Sequence, residues 1–158
     1  MNTIKITVDH DNFDLAGNHE IACTFGTWRG GGFYILPPQT DPLLLLLDED
    51  QRVIKNGVTY VHVKWKDAEE LYRSGEDVYT FCIDHKTGCP DDFWWDDDFI
   101  EKYCQATKIN QKTVQEAFDK MCEKPDWWVT QEILKDNGDS VCWDCIFQYI
   151  DYGDVIYG

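Results

Sequence analysis

Arg52-Val53-Ile54-Lys55-Asn56-Gly57-Val58-Thr59-Tyr60-Val61-His62-Val63-Lys64-Trp65 is the stretch on which the fold turns. Two β-prone arms flank an Asn-Gly pair, and both of those residues tolerate the positive φ that a type I′ turn demands. The arms must pair antiparallel. In the second arm Val61, Val63 and Trp65 share one face, and Tyr60, His62 and Lys64 share the other. A hairpin here commits the chain to a sheet, so neighbouring segments are read as strands that extend it or helices that cover it.

Upstream, Ile4, Ile6 and Val8 alternate with polar residues and predict a first strand, followed by a polar loop over 9–18 that carries the triplet Asp9-His10-Asp11. A second strand is expected over Glu20 to Phe25. It would form a glycine-rich hairpin with Phe33-Tyr34-Ile35-Leu36 through Gly26 and Gly30-Gly31-Gly32, stopped by Pro37-Pro38. These glycines open an apolar strand and lack the Gly-Lys-Ser/Thr that would open a helix onto a phosphate, so nucleotide binding is discounted. Leu43 to Leu47 shows no alternation, which predicts a strand covered on both faces or a segment buried under a helix.

Downstream, Asp67 with Glu70 and then Gly75 mark the ends of a short helix, and Asp77 to Ile83 reads as a strand. Pro90, Asp91 and Asp92 suit the first turn of a helix, where negative charge opposes the positive end of the dipole. On it Trp95, Phe99 and Tyr103 would form a core stripe beside Ile100 and Cys104. Trp94 would face away, Asp97 and Glu101 would lie outward, and Asp98 would pair with Lys102. Asn110 should cap the next helix, with Val114, Ala117, Phe118, Met121 and Cys122 on its apolar face until Pro125. Asp126 should cap a third, over Trp127 to Lys135. From Val141 alternation returns, with Val141, Trp143, Cys145, Phe147 and Tyr149 opposite Cys142, Asp144, Ile146, Gln148 and Ile150, which predicts a closing strand. The expected fold is a single α+β domain over 1–158: an antiparallel or mixed sheet of N-terminal hairpins and a C-terminal strand, packed with three to four helices.

Aromatics at 15% and hydrophobic residues at 43% exclude a disordered acidic chain. Fourteen Lys and Arg stand against thirty Asp and Glu, a net charge of −16. Such a surface repels DNA, RNA and anionic membranes and calls for a basic partner. The start of the chain lacks the basic and apolar regions of a signal peptide, and the longest apolar run, Leu43 to Leu47, is far short of the ~20 residues that cross a bilayer. Seven cysteines without a secretion signal suit reduced thiols in the cytoplasm.

Cys142-x-x-Cys145 has the spacing of zinc and redox centres, and Cys82, His85 and Cys89 would complete a ligand set. On a strand, however, residues three apart point to opposite faces, so buried thiols are expected, with neither a metal nor another cofactor. Nucleophile-elbow, paired-carboxylate and metal-helix patterns are missing, and no enzymatic activity is expected. The charge is interleaved with aromatic residues of the kind that anchor interfaces, which marks Asp91, Asp92, Trp94, Asp96, Asp97, Asp98 and Glu101 as candidate partner-binding residues. Asp151 and Asp154 lie in a second zone, since the chain from Asp136 onward holds five aspartates and no Lys or Arg. The expected role is a nucleic-acid mimic that occupies the basic groove of a nucleic-acid-processing enzyme. In kind it is similar to phage anti-restriction and anti-CRISPR proteins and to immunity proteins that block nuclease toxins. A Cys-rich metal or thiol protein and an acidic adaptor are the alternatives.

Overall fold

The computed structural model describes residues 4–25, 29–84, 86–87 and 96–156, with backbone only at 21–25 and 29–31. Five strands form one antiparallel sheet in the order β2-β3-β1-β4-β5. They are β1 (Arg29–Ile35), β2 (Arg52–Lys55), β3 (Val58–Val63), β4 (Val78–Ile83) and β5 (Cys104–Ile109). Among the described residues six α-helices surround it: α1 (Leu15–Phe25), α2 (Trp65–Arg73), α3 (Asp97–Tyr103), α4 (Gln111–Cys122), α5 (Trp128–Leu134) and α6 (Ser140–Tyr152). The α+β class expected from sequence is the one observed.

The hairpin forms as its turn chemistry dictates. Asn56 and Gly57 have φ of 52° and 77°, and the ladder runs from Lys55↔Val58 to Arg52↔Val61. β3 then pairs with β1 through Tyr34↔His62, and β1 pairs with β4 across a bulge between Gly30 and Tyr34. Gly32 sits in that bulge at φ 100°, and a Cβ there would stand 3.3 Å from His62 Nε2. The backbone angle and the close approach both require glycine. β4 lies inside the sheet between β1 and β5, and all six of its residues are buried.

Alternation along the strands divides the core in two. Phe33, Val78 and Ile109 face a helical layer that contributes Leu15, Tyr72, Val114, Phe118, Met121, Ile146 and Phe147. Tyr34, Val53, Phe81, Ile83 and Cys104 face the other way and are covered by Phe99 and Ile100 of α3. The tyrosines meet Phe81 edge-on, Tyr34 at 5.2 Å and Tyr60 at 5.1 Å between centroids, the geometry favoured by ring quadrupoles. α3 packs on β2 at one edge and on β4 and β5 at the other, so the sheet curls around this short helix.

Five expectations are corrected. Residues 4–8 form no regular element and pair with none of the described strands: Val8 N–H donates to Gln115 Oε1 at 3.0 Å and Gln115 Nε2 donates to the Ile6 carbonyl at 2.8 Å, so one side chain of α4 holds two of their backbone groups. The strand expected at Glu20 to Phe25 is the second half of α1, which packs chiefly on α6. Leu43 to Leu47 is neither strand nor buried; Pro42–Leu46 is a 3₁₀ helix with no buried residue. β5 is an unforeseen strand, where Cys104 follows directly on α3 and pairs with Ile83. The closing strand is α6: eight of its thirteen residues are buried, and apolar residues on every side suit a helix enclosed by others as well as they suit a strand. The interior of α2, the strand at β4 and the stripe of α4 are as expected, although α2 is capped from Lys64 and α5 from Trp127, neither with a side-chain bond.

Candidate functional site

α3 carries most of the described acidic candidates, and its geometry assigns them different jobs. Asp96 is the N-cap, with Oδ1 accepting from Phe99 N–H at 2.8 Å, so the helix that carries Phe99 starts at Asp97 and not in the first turn expected at Pro90 to Asp92. Asp97 and Asp98 follow in the first turn, where their charge faces the positive end of the helix dipole. Asp98 pairs with Lys102 at 3.2 Å on the exposed side. Glu101 is tied to the β2–β3 hairpin: its carboxylate accepts from Asn56 N–H at 3.0 and 3.3 Å, and Lys55 Nζ donates to its carbonyl. Asp97 is half-buried close to Tyr34, whose hydroxyl is pushed up to about 12 by burial and then by the Asp97 charge. Phe99 and Ile100 anchor the helix inward as expected. Asp91, Asp92, Trp94 and Trp95 lie outside the described residues.

The second acidic zone is changed by its neighbours. Asp151 is 9% exposed and so cannot present its carboxylate to a partner. Asp154 is exposed but pairs with Lys124 at 4.0 Å, and Lys120 Nζ donates to the Gly153 carbonyl at 3.0 Å. Both lysines come from the end of α4 and just beyond it, so folding supplies cations that the local sequence lacks.

A feature absent from the sequence reading lies between β1 and β2. Asp41 caps the 3₁₀ helix, its Oδ1 accepting from Leu43 N–H at 3.0 Å, and the turn lifts Leu43, Leu45 and Leu46 to 64%, 89% and 76% exposure. Asp48, Glu49 and Asp50 follow immediately, all exposed. The signal that could have found this turn is Asp41-Pro42, a side-chain cap followed by proline at the first helical position.

An open cleft of about 850 Å³ lies between α1, the β1–β3 pair and the start of α2, floored by Phe33 and Val63 and bordered by Trp65, His62, Glu20 and Lys64. His19 lines it but is held from behind: its Nε2 lies 3.2 Å from the Thr80 hydroxyl, which donates to the Gly32 carbonyl. The described lining offers no cysteine, serine or threonine as a nucleophile. His10, of the acidic triplet, instead meets the Tyr72 hydroxyl through Nδ1.

Cys142 and Cys145 share a face of α6, because residues three apart are neighbours on a helix; the expectation of opposite faces is corrected with the strand itself. Both are buried, and burial followed by the Asp144 charge pushes the Cys145 thiol up to about 11. Cys142 is raised by burial too, so burial disfavours the thiolate at both. Cys82 meets the Thr107 hydroxyl at 3.3 Å. His85 and Cys89 lie outside the described residues, and among those described no group of three or more His, Cys, Asp or Glu is placed to hold a metal. No described helix is long and apolar enough to cross a membrane. No protein-family model matches the chain, and no curated protein and no solved structure matches it.

Proposed function

We propose that the protein is a non-enzymatic binding protein that occupies the basic, nucleic-acid-binding surface of a partner enzyme and so inhibits it. One observation carries this reading: a packed α+β scaffold holds thirty carboxylates against fourteen Lys and Arg, so even complete internal pairing would leave a surplus of sixteen. Duplex DNA carries about one charge per 1.7 Å of axis, and a groove built to receive that density attracts any rigid surface of similar charge. A fixed scaffold suits such mimicry because few side chains must be ordered on binding, and the long-range field speeds encounter. Cys82, Cys104, Cys122, Cys142 and Cys145 all stand as thiols, in keeping with action in the cytoplasm.

The surface for the test is the first turn of α3, where Asp97 is half-buried and Asp98 exposed. Asp97 and Asp98 are the residues to reverse, because Asp96 and Glu101 hold backbone groups and their loss would disturb the fold. A partner retained from host extract at low salt, identified and purified, should be a basic nucleic-acid enzyme whose activity falls on titration with this protein. Its affinity should drop at least tenfold in Asp97→Lys/Asp98→Lys and fall steeply with salt. Affinity indifferent to both changes overturns the reading, and binding without inhibition identifies a docking adaptor.

A further inference from the structure

We infer that the Leu43–Leu46 turn is an apolar anchor that inserts into a pocket rimmed by Lys and Arg on a partner protein. The inference rests on the proposed basic partner and adds to it a second kind of contact. Isolated exposed leucines are ordinary, whereas a contiguous apolar patch is one that a soluble chain seldom leaves uncovered. Leu43, Leu45 and Leu46 set three large apolar side chains in solvent within four residues, at 64%, 89% and 76% exposure.

The turn is held rigidly at both ends. On one side Gln39 takes the place of a strand residue against β3: its Nε2 donates to the Thr59 carbonyl at 3.0 Å and its Oε1 accepts from Thr59 N–H at 2.8 Å. On the other, Gln51 Oε1 accepts from Asp48 N–H at 2.8 Å, while the Gln51 carbonyl accepts from His62 N–H at 2.9 Å. Leu44 and Leu47 are half-buried beneath, and Pro42 with the Asp41 cap fixes the first turn. The leucines are thus presented in one arrangement before any partner arrives, which lowers the entropy cost of binding.

Charge selects the occupant. Asp41 precedes the turn, Asp48, Glu49 and Asp50 follow it, and residues 30–51 contain no Lys or Arg. A second copy of the chain would set these acids against one another on two bodies of charge −16 each, a self-repelling pair. An anionic membrane would repel them as well. A protein pocket with an apolar floor and a basic rim meets both features, the arrangement of a desolvated anchor inside a polar border.

The test places a photo-crosslinking benzoylphenylalanine at Leu45 in the full-length protein, irradiates it in host extract, and identifies the product. The expected product is a basic protein. Once purified, it should bind Leu45→Ser/Leu46→Ser at least tenfold more weakly than the unaltered chain, with the salt dependence of affinity kept, because the charges are untouched. Both leucines are exposed, so an unchanged thermal midpoint in that variant separates lost contact from lost fold. A crosslink to a neutral or acidic protein, a crosslinked homodimer, Leu45-dependent flotation with phosphatidylcholine vesicles, or no crosslink at all overturns the inference. If the purified basic partner loses affinity with Asp97→Lys/Asp98→Lys but not with the leucine variant, the anchor falls and the proposed inhibitor stands.

Discussion

At the scale of single residues, His10 is the clearest case of a group whose setting outweighs its sequence context. Its neighbours Asp9 and Asp11 would by themselves favour the charged ring. In the structure burial beside Tyr72 lowers its pKa below 6.5, against the opposing pull of Asp11 and Asp9. The buried Tyr72 hydroxyl, itself raised by burial, shares a hydrogen bond with His10 Nδ1, and it is burial that disfavours the protonated ring. Because the folded pKa lies below that of the unfolded chain, His10 contributes stability above about pH 6.5 and loses it as pH falls through the lowered folded value. His10→Asn should therefore narrow its midpoint difference from the unaltered protein as pH falls from about 7.5 to about 5. Melting curves across that range decide it, and a difference independent of pH rules it out. Glu101 makes a similar point: an exposed carboxylate one helical turn from Asp97 looks available to a partner, yet it closes the hairpin tip through Asn56.

At the scale of elements, the start of α4 was legible in the sequence where the starts of α2, α3 and α5 were not. Asn110 Oδ1 accepts from Thr113 N–H at 2.8 Å while the Thr113 hydroxyl accepts from Asn110 N–H at 2.9 Å, a reciprocal cap before α4. Asn110→Ala should cost about 1 kcal/mol and lower the thermal midpoint by roughly 2–4 °C, with α4 fraying first in hydrogen exchange. An unchanged midpoint would show that β5 and α4 hold the junction without the cap. α6 carried equally good markers. Asp139 accepts from Cys142 N–H at 3.0 Å, a bond that holds its carboxyl below the usual range, and Gly153 closes the helix at φ 73°. These caps mark where a helix could start and stop, but the positions between them fit a strand as well, so packing against α1 and α4 decided the type.

At the scale of the molecule, charge and core oppose each other. The two packed clusters on either side of the sheet must hold together a surface with a surplus of sixteen carboxylates, and that surplus repels itself. Screening shortens the repulsion from about 10 Å at 0.1 M salt to about 3 Å at 1 M. Sodium chloride should accordingly raise the thermal midpoint across that range, unlike a protein stabilised mainly by surface ion pairs. A midpoint that falls with salt would mean that pairs such as Asp98–Lys102 and Asp77–Lys108 contribute more than the excess charge costs.

The sequence by itself determined the hairpin at Asn56-Gly57, the caps of α4, the inward stripe of Phe99 and Ile100, and the net charge, because each depends on residues only a few positions apart. Tertiary structure alone decided that 141–150 is helical, that Gln115 pairs with the N-terminal segment, that Asp151 is buried, and that Lys120 and Lys124 reach the C-terminal end. It also decided that Leu43, Leu45 and Leu46 face outward. Where nearly every position is apolar, the period of two and the period of 3.6 fit equally well, and the choice falls to what the segment packs against. The candidate site divides the same way: sequence sets how much negative charge there is, and folding sets which carboxylates hold the protein together and which remain exposed for a partner.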